Sequence, residues 1–515
     1  MAKKNLVEDQ LNKPHTFGLG IDHLWLLAPL ALLGVLLALS PLPPNDLWWH
    51  LKAGQIIHES GRVPTTNSFA WTLPKETPFT YGAWLGEYLL YQLYRLGALE
   101  LVIFARNFLA LLAFVLLGVE AKRRSGSWRV AGPLAALGLL MASNNIAVRP
   151  QIFAFLPFIL FLILLGAYAS GKLRGRWLLL LPILIAFWTN VHGSFILGVA
   201  LLGIYLAGEG LRWLLKLPGA LERAQLVWLA GVTLLCLLAL MANPQGWGIF
   251  GYVYNLMTDQ PSQGLIMEWQ TPAPQGPAAI AFYASLLLLM AAWALSSRKP
   301  TPTDLLLVAA FTWLAWNGIR YVIWYALAAL PVLAGVIGEL LGERAWLKPA
   351  RRNLLNLALA MVVCIPLLLV QPWWVERLPL PATYTQQVLW GAEEGPLLPV
   401  HTPLGAAEYL RQNPGGRLFN EMGYGSYLIW KLPEQGVFID PRVELYPYEM
   451  WQDYIRITRG AHYNLLLEAY GADRLLLDVE MQAELITALE GDPGWELEYQ
   501  DPYAQVWKKA EVSWE

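Results

Sequence analysis

The sequence predicts a polytopic α-helical membrane protein of about 11 transmembrane helices, followed by a C-terminal extracytoplasmic α/β domain. Three observations predict it. The chain is 56% hydrophobic and 14% charged over 515 residues, whereas soluble proteins carry about 25% charged residues. The charges fall in short clusters separated by long apolar runs, and mean hydropathy is +0.41. After Trp373 and Trp374 the pattern changes to short apolar runs alternating with amphipathic stretches.

A spanning helix needs roughly 20 apolar residues. Eleven stretches approach that length: 23–42, 99–119, 130–147, 151–170, 177–191, 194–216, 225–242, 278–297, 303–318, 321–341 and 354–371, of which 177–191 and 303–318 are short. The basic clusters are Lys3/Lys4, Lys122/Arg123/Arg124/Arg129, Lys172/Arg174/Arg176, Arg212/Lys216/Arg223, Arg298/Lys299 and Arg344/Lys348/Arg351/Arg352. With eleven spans all of them fall on one side, which the excess of Lys and Arg in cytoplasmic loops makes the cytoplasm. The N-terminus is then cytoplasmic in a plasma (inner) membrane. The loops 43–98, 147–151, 191–194, 243–277 and 318–321, and everything after about 372, face outward. Lys3 and Lys4 precede a polar stretch, so no cleavable signal pattern is present.

Other classes are disfavoured. The two cysteines, Cys236 and Cys364, lie in apolar runs and read as packing residues, not as a disulfide framework or thiolate metal site. No Walker or dinucleotide fingerprint is present, which argues against a nucleotide-powered pump. The net charge of −2 says little about partners and gives no reason to expect nucleic acid.

The expected division is a membrane domain over 1–374, a Pro- and Gly-rich linker over 375–399 and an α/β domain over 400–515. In the last, RLFNE, GVFID and RLLLD read as strands, and WELEYQD with AQVWKK as a final strand pair. AAEYLRQ, SYLIWKL, YEMWQDYIRI, YNLLLEAYG and MQAELITALE read as helices. Such alternation implies a partly parallel sheet.

The outward loops hold the unusual polar residues. In PPNDLWWHLKAGQIIHESGRVP, Asp46 starts a short helix and His50 lies one turn on, on the same face. Trp48 and Trp49 between them read as interfacial aromatics. A second amphipathic stretch, Tyr81 to Leu96, is expected on the membrane surface with Glu87 and Arg95 at its polar edge. Arg149, Asn190, His192, Asn243, Glu268 and Arg320 lie in the later outward loops. Ionisable groups beside apolar segments are costly and often functional, so these residues are candidates for one outward cavity. Each has a plainer alternative. Asp46 is a good helix cap, Arg149 and Arg320 can snorkel to headgroups, His50 and His192 can satisfy neighbouring helices, and Asn243-Pro244 is a turn signal. Asp440 and Arg442 end an expected strand, where α/β domains often bind ligands; a surface ion pair is the alternative.

The runs NDLWWHLKAGQIIHESGRVPTTNSFAWT, WLGEYLLYQLYRLG, WTNVHGSF, ANPQG, IMEWQ, NEMGYGSYLIWKL and FIDPRVELY, spread over nearly the whole chain, resemble a group of bacterial proteins placed beside the GT-C superfamily of membrane glycosyltransferases. The resemblance implies sugar transfer from a polyprenyl-phosphate donor to a protein, lipid or glycan acceptor on the outer face. It implies that Asp46 is the general base, with Glu87 the other first-loop acid of interest. Many members have a second acid beside the first; here Asn45 takes that place, so a divalent cation is an open question and no other cofactor is expected. From charge and depth, His50, Arg149, His192 and Arg320 are assigned to the donor phosphate, and Glu268, Asp440 and Arg442 to acceptor or loop contacts. Two alternatives remain at this stage. A transporter or flippase would distribute polar residues through the depth of several spans, and these runs are mostly clean. A non-catalytic envelope subunit would leave Asp46 exposed, or locked in a cap, with no cavity beside it.

Overall fold

The computed structural model describes residues 18–43, 45–297, 299–342, 344–389 and 397–510. Lys3, Lys4, Arg298 and linker residues 390–396 lie outside the described residues. The apolar part contains α1 (Leu24–Ala38), the short α2 (Leu47–Ser60), the long α3 (Trp84–Ser125), α4 (Trp128–Ala142), α5 (Phe155–Ala169), α6 (Leu180–Val191), α7 (Ile196–Leu214) and α8 (Arg223–Ala239). Two short helices follow, α9 (Gly248–Thr258) and α10 (Gln260–Leu265), and then α11 (Gly276–Leu295), α12 (Pro302–Trp316), α13 (Val322–Leu341) and α14 (Leu354–Leu369).

A helix stands on each of the eleven expected stretches. Among the described residues six helical segments are long and apolar enough to cross a membrane: Ile21–Ala38, Trp84–Ser125, Pro150–Ala169, Gly193–Leu214, Gly276–Leu295 and Ile319–Leu341. The others are shorter apolar helices. The chain is therefore a multi-pass membrane protein. At its centre is α13, in which every residue from Val322 to Ala334 is buried. A helix apolar on all sides has no face to give to solvent, so it takes the middle of the bundle.

The amphipathic stretch Tyr81 to Leu96, expected to lie on the membrane surface, does not end before the next apolar run. It continues into the next span as one 42-residue helix, interrupted only at Gly97 and Ala98, whose φ/ψ are non-helical. Its first half packs against α2, and Gly54 allows this. A Cβ there would lie 2.2 Å from the Glu87 carbonyl oxygen. Glu87 is consequently 1% exposed, not at a polar edge. Trp48 is fully buried against Tyr427 and Trp430, and Trp49 lies over the His50 ring. They are packing residues of an interface between the first loop and the C-terminal domain, not members of an aromatic belt.

That domain holds α15 (Leu404–Gln412), α16 (Met422–Lys431), α17 (Tyr448–Thr458), α18 (Tyr463–Tyr470) and α19 (Ala483–Glu490) around a four-stranded sheet. Its strands are β1 (Leu418–Asn420), β2 (Arg474–Asp478), β3 (Trp495–Gln500) and β4 (Ala504–Lys509), in the order β1-β2-β4-β3. The β1/β2 pair is parallel with Phe419 opposite Leu475, and the other pairs are antiparallel. GVFID was expected as a strand of this sheet and is not one. Its backbone is claimed by the first loop: Trp71 N–H donates to the Val437 carbonyl at 3.0 Å and Val437 N–H to the Phe69 carbonyl at 3.1 Å. Trp71 Nε1 donates to the Leu418 carbonyl and Thr72 Oγ1 to the Phe438 carbonyl. The C-terminal domain is thus docked on the loop between α2 and α3.

Candidate active site

Four turns and a helix head meet at one end of the bundle, several of them hydrogen-bonded to one another, and a cavity forms between them. Arg149 caps a 3-10 turn between α4 and α5, Glu268 sits in another before α11, and Arg320 in a third between α12 and α13. The Ile319 N–H donates to the Gln270 carbonyl, and Asn145 Nδ2 to the Ile319 carbonyl. His192 caps the turn between α6 and α7. Asp46 stands at the head of α2, and the fully buried helix face behind it fixes its direction. Gly86 lets α3 close on two of these turns, since a Cβ there would lie 2.8 Å from the Val191 carbonyl oxygen and 2.7 Å from Pro150.

The resulting cavity holds about 480 Å³ and is bordered by Asp46, His50, Glu87, Arg149, His192, Glu268 and Arg320. Aromatic rings of Trp49, Tyr81, Tyr252 and Trp269 add apolar wall, and Glu444 closes it from the C-terminal domain. Seven of the nine side chains expected at a site therefore meet here from six separate parts of the sequence. Asp440 and Arg442 do not. They form a fully buried ion pair behind the wall: Arg442 Nη2 lies 2.7 Å from Asp440 Oδ2, and Tyr446 donates to the same oxygen at 2.5 Å. The Arg442 guanidinium also lies over the rings of Phe69 and Phe79.

Asp46 is not serving as a side-chain cap. Its Oδ2 lies 2.5 Å from Arg149 Nε, and its Oδ1 accepts from Trp49 Nε1 at 3.4 Å. Arg149 Nη1 donates to both Glu268 oxygens, at 2.7 and 2.8 Å. One guanidinium thus bridges two carboxylates, and this pairing holds Arg149 even more firmly in its charged form despite the cost of burial. Arg320 differs. Its guanidinium lies 4.4 Å from the Trp269 ring centroid, and among the described residues it makes no ion pair. It is the uncompensated cation of the cavity.

The two histidines are not cations. Burial pushes His192 down to about 3, with Arg320, His50 and Arg149 adding to the effect. Its Nδ1 accepts from the Ser194 N–H at 3.1 Å, which leaves the ring proton on Nε2. His192 is therefore a neutral donor. Burial also lowers His50, against the opposing hydrogen bond of Nδ1 to Glu87 Oε1 at 3.2 Å. Asn243 and Asn190 are structural. Asn243 closes its own turn through the Leu240 and Gly246 carbonyls, and Asn190 ties Trp84 to the Ala242 carbonyl.

A resident divalent cation does not fit this arrangement. The two carboxylates that would bind it, Asp46 and Glu268, both surround Arg149. Among the described residues no group of three or more His, Cys, Asp or Glu side chains is disposed to hold a metal.

Glu444 was not anticipated from sequence. The signal was the alternation in Val443-Glu444-Leu445, where both apolar neighbours are buried and the acid between them is exposed.

No family model and no curated protein matches the sequence. Solved structures do. The archaeal oligosaccharyltransferase AglB from Archaeoglobus fulgidus, in complex with an inhibitory peptide and a dolichol-phosphate, superposes with a TM-score of 0.55 at 14% identity, over 91% of this chain and 71% of that one. The Archaeoglobus fulgidus oligosaccharyltransferase in the apo form gives a TM-score of 0.50 at 13% identity, over 95% and 74%. The chain therefore shares the fold of these archaeal oligosaccharyltransferase structures.

Proposed function

We propose that the protein is a glycosyltransferase, hexosyl- or pentosyl-, that moves a sugar from a polyprenyl-phosphate-linked donor to an extracytoplasmic acceptor. The observation that carries this reading is the cavity itself. It joins an unpaired arginine, a neutral histidine donor and a fixed arginine to several carboxylates, beside apolar helices suited to a lipid tail. The neighbouring AglB structure contains a dolichol-phosphate and a peptide, which supports a donor and an acceptor of these kinds. The scaffold alternative expected Asp46 to be exposed or locked in a cap with no cavity beside it; that Asp46 makes no side-chain cap and borders the cavity favours the enzymatic reading.

In this reading Arg320 and the His192 Nε2–H receive the phosphate, since a guanidinium matches phosphate oxygens. Asp46 and Glu268 hold Arg149 so that its remaining N–H groups serve the same phosphate. His50 and Glu87 buttress the wall. As the acceptor oxygen bonds to the sugar C1, the bond from C1 to the phosphate oxygen breaks and the electron pair leaves on the phosphate, where these donors stabilise it. The membrane domain over 1–374 supplies the donor side, and residues 400–515, outside the plasma membrane beyond a linker, supply the acceptor side.

The test uses the full chain in proteoliposomes with isotopically labelled polyprenyl phosphate and labelled polyprenyl-phosphate sugars. The Arg149→Ala/Arg320→Ala double variant should bind polyprenyl phosphate at least tenfold more weakly. Equal binding by wild type and folded double variant removes the proposal.

A further inference from the structure

Four carboxylates border the cavity, and three already have a partner. Asp46 is bound by Arg149 and Trp49, Glu268 by Arg149 through both oxygens, and Glu87 accepts from His50 and is almost wholly buried. Glu444 has no ion pair and no hydrogen bond to another residue's side chain among the described residues; its carboxylate accepts from its own backbone N–H and lies at the cavity wall. It is also the one acid brought by the C-terminal domain. We propose that Glu444 is the general base that takes the proton from an acceptor hydroxyl. This rests on the glycosyltransferase reading and deepens it by naming the base and the acceptor class.

The structure shows how Glu444 is held. It occupies a single 3-10 turn, Val443–Leu445, with Val443 and Leu445 packed inward. The turn springs from the fully buried Asp440–Arg442 pair: the Arg442 N–H donates to Asp440 Oδ1 at 3.0 Å, and Leu445 N–H to the Arg442 carbonyl. Burying two charges is expensive unless the geometry is well satisfied, and here the pair is closed by its own forked bonds and by Tyr446, which anchors the backbone that leads into Glu444. Asp440 and Arg442 are positioning residues in this sense.

The surroundings suit a base. The side chain opens to the cavity but is ringed by protein, and the resulting loss of water around the carboxylate raises it to about 7; the bond from its own backbone N–H and the Arg442 charge oppose this, while Asp259 and Asp46 add to it. Tyr252 from α9 also faces it, and burial keeps that phenol protonated. A base whose affinity for protons lies near the working pH is the most effective. The step balances: the hydroxyl proton goes to Glu444, the oxygen forms the new bond to C1, and the broken bond's electrons go to the phosphate.

The experiment compares wild type, Glu444→Gln and Glu444→Asp in proteoliposomes, reading polyprenyl phosphate affinity and the pH profile of sugar transfer separately. Glu444→Gln should keep wild-type affinity for polyprenyl phosphate and lose about 10²–10⁴-fold in transfer rate, with the acidic limb near neutrality gone. Glu444→Asp should restore part of the rate and a shifted limb. Transfer by folded Glu444→Gln within twofold of wild type, limb intact, overturns the assignment and leaves the glycosyltransferase reading standing. Wild type that neither binds polyprenyl phosphate nor transfers overturns both.

Discussion

At the scale of single residues, the cavity sorts its charges into those that are paired and those that are not. Arg149 is locked between two carboxylates, an arrangement that depends on the shape of its guanidinium as much as on its charge. Replacing it by Lys keeps the charge but cannot span Asp46 and Glu268 with one planar group. Arg149→Lys should therefore cost roughly 10²–10³-fold in transfer with little change in thermal stability, checked by rate and melting measured on one preparation. The histidines give a pH dependence of stability. His192 is depressed to about 3 from 6.5, so it favours the fold when neutral. Its contribution is fully present above pH 6.5 and declines as pH falls toward 3, because the unfolded chain takes up the proton first. Melting temperature should fall between pH 6.5 and 5 in wild type and fall less in His192→Asn. The sequence made most of this cavity legible, since ionisable groups such as Arg149 and Arg320 beside long apolar runs had few inexpensive explanations. It could not separate Asp440 and Arg442 from a surface pair, because burial is a property of the packing around them. It pointed to charge at His192, where the capping bond and burial instead leave a neutral ring.

At the scale of elements, the cavity depends on close approaches that sequence patterns do not reveal. The periodicity of α2 and of the first half of α3 was readable, but not that α3 continues past the kink at Gly97 and Ala98 into a span or that it closes on α2. Glycine at 54 permits that closure. Gly54→Ala would drive a Cβ into the Glu87 carbonyl, and overpacking of this kind costs about 1–3 kcal/mol. The expected outcome is a lower melting temperature and, because Glu87 and His50 shift together, weaker polyprenyl phosphate binding. The 3-10 turns that carry Arg149, Glu268, Arg320 and Glu444 were likewise invisible in advance, being single turns set by contacts between loops. GVFID had the composition of a strand, and it is extended, but its pairing partner is the first loop and not the sheet.

For the whole molecule, the central fact is that the C-terminal domain is fastened to the loop after the first span. Trp48 is buried between Tyr427 and Trp430, and the Trp49 N–H donates to Ser426 Oγ. The Asp440–Arg442 pair lies at the same seam, with Arg442 over Phe69 and Phe79. Arg442→Met leaves Asp440 buried without its cation, a loss of about 3–5 kcal/mol. Proteolysis within 62–80 should accelerate markedly while the bundle itself stays resistant; unchanged cleavage would mean the seam is held by other contacts. The seam also sets a timetable for biogenesis. Thr72 and Phe438 bond across 366 positions of chain, so the early loop emerges with its hydrogen-bonding partners still unsynthesised. At about 5–20 residues per second it waits roughly 20–70 s, a window in which its tryptophans are open to chaperones or to misplacement in the bilayer.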